Sequence, residues 1–123
     1  MINIEAFRQA IRVINDSSVP EEINLSGWKT CIMSYLIKDK WFQDYGLIAS
    51  DNVPSFRGKN DFNAIMKLFK IEDTDALQLF FGAPLFRKKS DIIISFQKII
   101  NKDGFFLEMD KKIIEKLKEE EYV

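Results

Sequence analysis

A chain with one cysteine, Cys31, and no histidine must hold itself together by packing alone. A single thiol cannot close an internal disulfide. Without histidine or clustered thiolates, a structural zinc site lacks its usual ligands. At 123 residues the chain is long enough to bury a sizeable core without such staples. The material for that core is plain: 46% of residues are apolar, and eleven of the sixteen aromatics are Phe. Phenylalanine has no polar handle, so it serves packing or apolar contact.

The same gap narrows the chemistry. Histidine is the commonest general acid–base residue and metal ligand. The carboxylate groups Glu21-Glu22, Glu72-Asp73-Asp75 and Glu119 to Glu121 do not sit in apolar settings that would raise a pKa. Glu72, Asp73 and Asp75 flank a helix start, where carboxylates are favoured for structural reasons. The Asn101-Lys102-Asp103-Gly104 segment fails as a calcium loop, because its first ligand position falls on Ile99. The expectation is a protein that is not an enzyme and carries no metal or cofactor.

Net charge is −1, from 18 basic and 19 acidic side chains. That balance does not attract nucleic acid or membranes in general. The first residues lack the pattern of a secretory signal, and no apolar run has the length of a membrane span. With an unpaired cysteine this points to a reducing, cytoplasmic setting.

Helical spacing dominates the periodicity. Ile4, Phe7, Ile11 and Ile14 form one stripe, with Asn3 as cap, over residues 4–15. Trp28, Cys31, Ile32, Tyr35 and Leu36 form a second, with Ser26 as cap and a continuation through Trp41, Phe42 and Tyr45 to Gly46. Residues 47–59 contain Pro54 and Gly58, lack periodicity, and read as the longest loop. Phe62, Ile65, Met66 and Phe69 mark a third helix capped by Asn60 or Asp61. A short fourth has Thr74 as cap, with Gly82 and Pro84 as its stop. Ile92, Phe96, Ile99 and Ile100 fit a fifth helix opened by Ser90. Alternation there and an Asp103-Gly104 turn also fit a hairpin over 92–107; Lys98 breaks the alternation and favours helix. Met109, Ile113, Ile114 and Leu117 mark a last helix. The expected fold is all-α, one compact domain of about five or six short helices, with one small hairpin near 92–107 as the open alternative.

The aromatic surplus is the best functional signal. Trp41, Phe42 and Tyr45 lie within five residues, and one helix face cannot bury them all. Tryptophan and tyrosine dominate binding hot spots. They are expected to join Phe56 and Arg57 of the 47–59 loop as a protein-binding surface, with Phe81 a further contact. Between residues 83 and 104, Arg87, Lys88, Lys89, Lys98 and Lys102 outnumber Asp91 and Asp103. Arg87, Lys88 and Lys89 stand before the Ser90 helix start, a place for phosphate or an acidic partner.

Asn24-Leu25-Ser26-Gly27-Trp28, Cys31-Ile32, Ile65 to Phe69, Ala76 and Leu79-Phe80 occur in an order that resembles a group of small, uncharacterised bacterial and phage helical proteins. The resemblance spans residues 24–100 and implies a phage or mobile-element context. It carries over no activity and no functional residues. The functional expectation is a small protein-binding module of inhibitor or immunity type, acting by stoichiometric contact. The alternative is a nucleic-acid-binding helical module using the 87–102 basic segment.

Overall fold

The computed structural model describes residues 2–51, 53–81 and 85–102, and these form a mixed α/β structure rather than an all-α one. Helix α1 (Ile4–Ile14) leads to β1 (Glu22–Asn24), then α2 (Ile32–Leu36) and α3 (Lys40–Tyr45). Three strands follow: β2 (Leu47–Ser50), β3 (Val53–Phe56) and β4 (Lys59–Asn60). Next come α4 (Asp61–Phe69), α5 (Asp73–Ala76) with a π turn at Leu77–Phe81, and β5 (Phe86–Lys88). Residues 89–102 are helical and are called α6. Among the described residues, no helix is long and apolar enough to cross a membrane.

Helix α1 begins where its sequence says it should. The Asn3 side chain accepts from the Ala6 backbone N–H at 3.2 Å, and Glu5 lies in the first turn. Its buried face is Ala6, Phe7, Ala10 and Ile14, so the two alanines let the helix sit close to its neighbours while Ile4 and Ile11 stay half-buried.

The long second helix does not form. The hydroxyl and backbone N–H of Ser26 both donate to Asn24 Oδ1, at 2.6 and 3.0 Å, which makes a local turn instead of a cap. Helix α2 starts only after Cys31 and breaks after Leu36. Asp39 then restarts the chain, accepting from the backbone N–H groups of Trp41 and Phe42 at 3.1 and 3.4 Å. A capping carboxylate inside an apolar stripe splits one expected helix into two. Arg12 fixes that carboxylate from α1 at 2.8 Å.

The expected 47–59 loop is a three-stranded antiparallel meander in the order β2-β3-β4. Leu47 faces Phe56, Ala49 faces Pro54, and Ser55 faces Asn60. Its second turn is Arg57-Gly58, with φ of 46° and 81°. Two consecutive left-handed residues match the twist of a tight hairpin. The first part of the basic run, Phe86–Lys88, is likewise a strand. β5 pairs antiparallel with β1, Ile23 opposite Arg87, and the ribbon is extended by Leu25 N–H to the Leu85 carbonyl at 2.7 Å and Lys89 N–H to the Glu21 carbonyl at 2.8 Å.

Residues 92–102 are helical, not a hairpin strand; the 103–107 part of that alternative and the expected last helix lie outside the described residues. Glu72, not Thr74, holds the cap position of α5. The wider π turn then sends Phe80 into the core and Phe81 toward Trp28 and Phe62, at 4.9 and 5.0 Å between ring centroids.

The core centres on phenylalanine. Phe69 lies 4.6 Å from Phe7, 4.9 Å from Phe80 and 6.4 Å from Phe42, measured between ring centroids. Phe96 closes the group at 5.3 Å from Phe7 and 5.5 Å from Phe80. These rings come from α1, α3, α4, the π turn and α6, and all are buried. Cys31 is also buried, and burial pushes its thiol pKa up, which keeps it protonated and unreactive.

Two adjacent residues give opposite expected outcomes. Phe69→Ala removes the central ring and destabilises the fold by about 3–5 kcal/mol. Lys70 is exposed and caps α4 with φ of 54°, so Lys70→Gly relieves left-handed strain and stabilises by about 0.5–1 kcal/mol. Urea unfolding of the two variants checks both signs.

Candidate protein-binding surface

Trp41 and Tyr45 are four residues apart on α3, so they share one side of that helix. Their rings stack at 4.9 Å with an interplanar angle of 11°. Gly46 ends α3 with φ of 118°, a conformation that L side chains rarely adopt. That turn sends the chain straight into β2, and the hairpin brings Phe56 back opposite Leu47. Phe56 thereby lands against Tyr45, with rings 5.7 Å apart and 7° from parallel. The next residue, Arg57, places its guanidinium 4.8 Å from the Phe56 ring centre and 5.3 Å from that of Tyr45. The result is a ladder: Trp41, Tyr45, Phe56, Arg57.

The ladder is anchored from the other end of the chain. Asn3 Nδ2 donates to the Tyr45 hydroxyl at 3.1 Å and to the Leu68 carbonyl at 2.9 Å. One short side chain thus caps α1, ties it to the end of α4 and orients Tyr45. Nothing local in the sequence signals the third role, because Asn3 and Tyr45 are 42 positions apart.

The sequence-derived surface is therefore assembled, but its members differ in availability. Phe42 and Phe56 are core side chains, exposed by 0% and 2%. They support the ladder from beneath. Trp41 and Tyr45 are half-buried and Arg57 is exposed, so these three present the accessible part. Phe81 is not in the ladder. It is half-buried and packs edge-on against Trp28.

The basic run is dispersed. β5 turns successive side chains to opposite faces. Lys88 is exposed, whereas Arg87 Nη1 donates to the Gln78 carbonyl at 2.9 Å. Lys89 is engaged in the fold: its Nζ donates to the Asp16 and Val19 carbonyls at 3.2 and 3.1 Å and lies 3.6 Å from Glu21 Oε1. The helix also starts at residue 89, one position before Ser90. Arg87, Lys88 and Lys89 do not converge on a shared phosphate position.

A separate cleft of about 290 Å³ is lined by Arg12, Asp16, Tyr35, Lys38 and Asp39 among others. Asp16 there accepts from the Ser18 hydroxyl and backbone N–H, which lowers its pKa. Its carboxylate is committed to that turn. Among the described residues, no three His, Cys, Asp or Glu side chains form a group that could hold a metal ion.

Asn3→Ala tests the anchor. It removes the α1 cap and the bond to Tyr45, and is expected to cost about 1–2 kcal/mol of stability. Tyr45 loses its orienting donor at the same time, so near-ultraviolet circular dichroism from the Trp41–Tyr45 stack should weaken while far-ultraviolet helicity is kept.

Comparison with protein-family models, curated proteins and solved structures gave no match.

Proposed function

We propose that the chain is a small protein-binding module of inhibitor or immunity type, working by stoichiometric contact through the Trp41–Tyr45–Arg57 face. One observation carries this reading. Two half-buried aromatic rings are held parallel, backed by Phe56 and flanked by a guanidinium. Aromatic and arginine side chains are the usual energetic anchors of interfaces. Rings already fixed by stacking lose little freedom when a partner covers them, so less of the contact energy is spent on ordering.

The nucleic-acid reading draws less support. Binding to a phosphate backbone needs several free cations on one face. Lys89 is occupied by two backbone carbonyls and Arg87 by a third. The resemblance to small bacterial and phage proteins is consistent with an interaction role in a mobile-element context, and it adds no residue to the site.

The test is affinity capture from the host, followed by titration of the recovered partner. A one-to-one complex is expected, weakened at least about tenfold by Trp41→Ala and less by Arg57→Asn. Asparagine tolerates the left-handed φ of position 57, so the turn survives that change. Recovery of no stoichiometric partner, or equal affinity for wild type and Trp41→Ala, removes the proposal.

A further inference from the structure

A second surface lies along the outer flank of β2. β2 is an edge strand, hydrogen-bonded to β3 alone. Which of its backbone groups face outward follows from one residue. Ala49 stands opposite Pro54, and proline has no N–H to exchange. Ala49–Pro54 is therefore the non-hydrogen-bonded type of antiparallel pair, and the bonds are exchanged at Ile48–Ser55 and Ser50–Val53. The N–H and C=O groups of Leu47 and Ala49 consequently point away from the sheet; Leu47 is wholly buried, so exposed Ala49 is the residue whose groups reach the surface. Among the described residues, neither makes a backbone hydrogen bond outside its own sheet.

A groove borders this edge. Ala49 looks across a cavity of about 240 Å³ at Trp28, Lys29, Ile37 and Lys38. Trp28 and Lys29 also line an adjoining cavity of about 450 Å³ that reaches Asp51 and Val53 at the end of the hairpin. The two cavities share Trp28 and Lys29, and Ala49 of β2 lines the first. Trp28 is held edge-on by Phe81, so the wall it forms is fixed. Lys29 and Lys38 are exposed and have no ion pair among the described residues. Ile48, on the opposite face of the strand, is 57% exposed.

We propose that the outer edge of β2 receives an extended, acidic segment of a partner protein, which adds to the sheet as a further strand. Its backbone exchanges two hydrogen bonds with Ala49. Its apolar side chains meet Ile48 on one face, and the alternate, acidic ones turn to the side of Trp28 and Ile37. Its carboxylates reach Lys29 and Lys38. A second copy of this chain fits less well, because a two-fold pairing of β2 with β2 brings a second Lys29 and Lys38 to the same seam. The inference rests on the protein-binding reading but uses a different face from the aromatic ladder.

The experiment is fluorescence anisotropy with a labelled, terminally blocked peptide of alternating glutamate and valine. Two controls keep its length: alternating glutamate and proline, which has charge but few donors, and alternating lysine and valine. The glutamate–valine peptide is expected to bind saturably and the controls not to. Ala49→Pro removes only an outward N–H, and it weakens binding about tenfold, the loss expected for one or two backbone bonds. Lys29→Glu with Lys38→Glu weakens it at least as much, and Arg8→Gln, at an exposed position of α1, leaves it unchanged. Should Ala49→Pro fail to fold, N-methylation of the peptide's glutamates removes the reciprocal bond, from the peptide N–H to the Ala49 carbonyl. Equal binding of the glutamate–proline peptide, or indifference to Ala49→Pro and to N-methylation, overturns the proposal. So does a dimer in sedimentation that Ala49→Pro dissolves, since the edge then belongs to a second copy. A host partner lost with Trp41→Ala but kept with Ala49→Pro upholds the ladder and overturns the edge; the reverse upholds the edge and removes the ladder.

Discussion

The ring of Phe69 is the contact on which the other elements depend. It ends α4, and it touches rings from α1, α3 and the π turn. None of these helices is long enough to be stable alone in water. Each acquires its place by lodging one phenylalanine in a common cluster. Helix α1 then adds polar ties at the same point: the Asn3 backbone N–H donates to the Phe69 carbonyl at 2.9 Å, and its side chain donates to the Leu68 carbonyl. Those ties satisfy carbonyls at the end of α4 that a helix leaves open. A chain without disulfides or histidine holds five elements together through rings and a single asparagine.

How far the sequence discloses this depends on length. Helix α1, with eleven residues, and α4, with nine, have enough turns for a 3.6-residue stripe to appear, and both are found where Phe7, Ile14, Ile65 and Phe69 put them. The strands are two to four residues long, too short for alternation to register. β5 shows the difficulty well. Phe86-Arg87-Lys88 reads only as part of a basic run, because its strand character comes from β1, more than sixty residues earlier. Pro54 and Gly58 suggest an open loop by composition, yet each fits a specific place: proline at a non-bonded pair, glycine in a left-handed turn. Asp39 is the subtler case. On a helical wheel it is a polar residue near an apolar face; in the fold it is a cap that breaks the helix.

The candidate site was legible as a group and not as a surface. Trp41, Phe42, Tyr45, Phe56 and Arg57 do meet, because a glycine-terminated helix runs directly into a tight hairpin. Sequence alone could not sort them by depth. Phe42 and Tyr45 differ by three positions, but one rotates into the Phe69 cluster and the other lies over Phe56. The basic run fails for a related reason. Charge counted along the chain takes no account of carbonyls brought up from elsewhere, and Lys89 finds two of them in the turn after α1.

The β1–β5 ribbon has a consequence for the order in which the protein takes shape during translation. β1 is made before β5, and its strand partner among the described residues emerges only with residues 86–88. At ribosomal speeds the delay is on the order of seconds, far longer than a short helix needs to form. Ile23 and Leu25, buried in the finished fold, lack the backbone pairing of β5 throughout the interval. Folding on the ribosome would then begin with the central helices and meander, and the N-terminal strand would dock last, once the far end of its ribbon had left the exit tunnel.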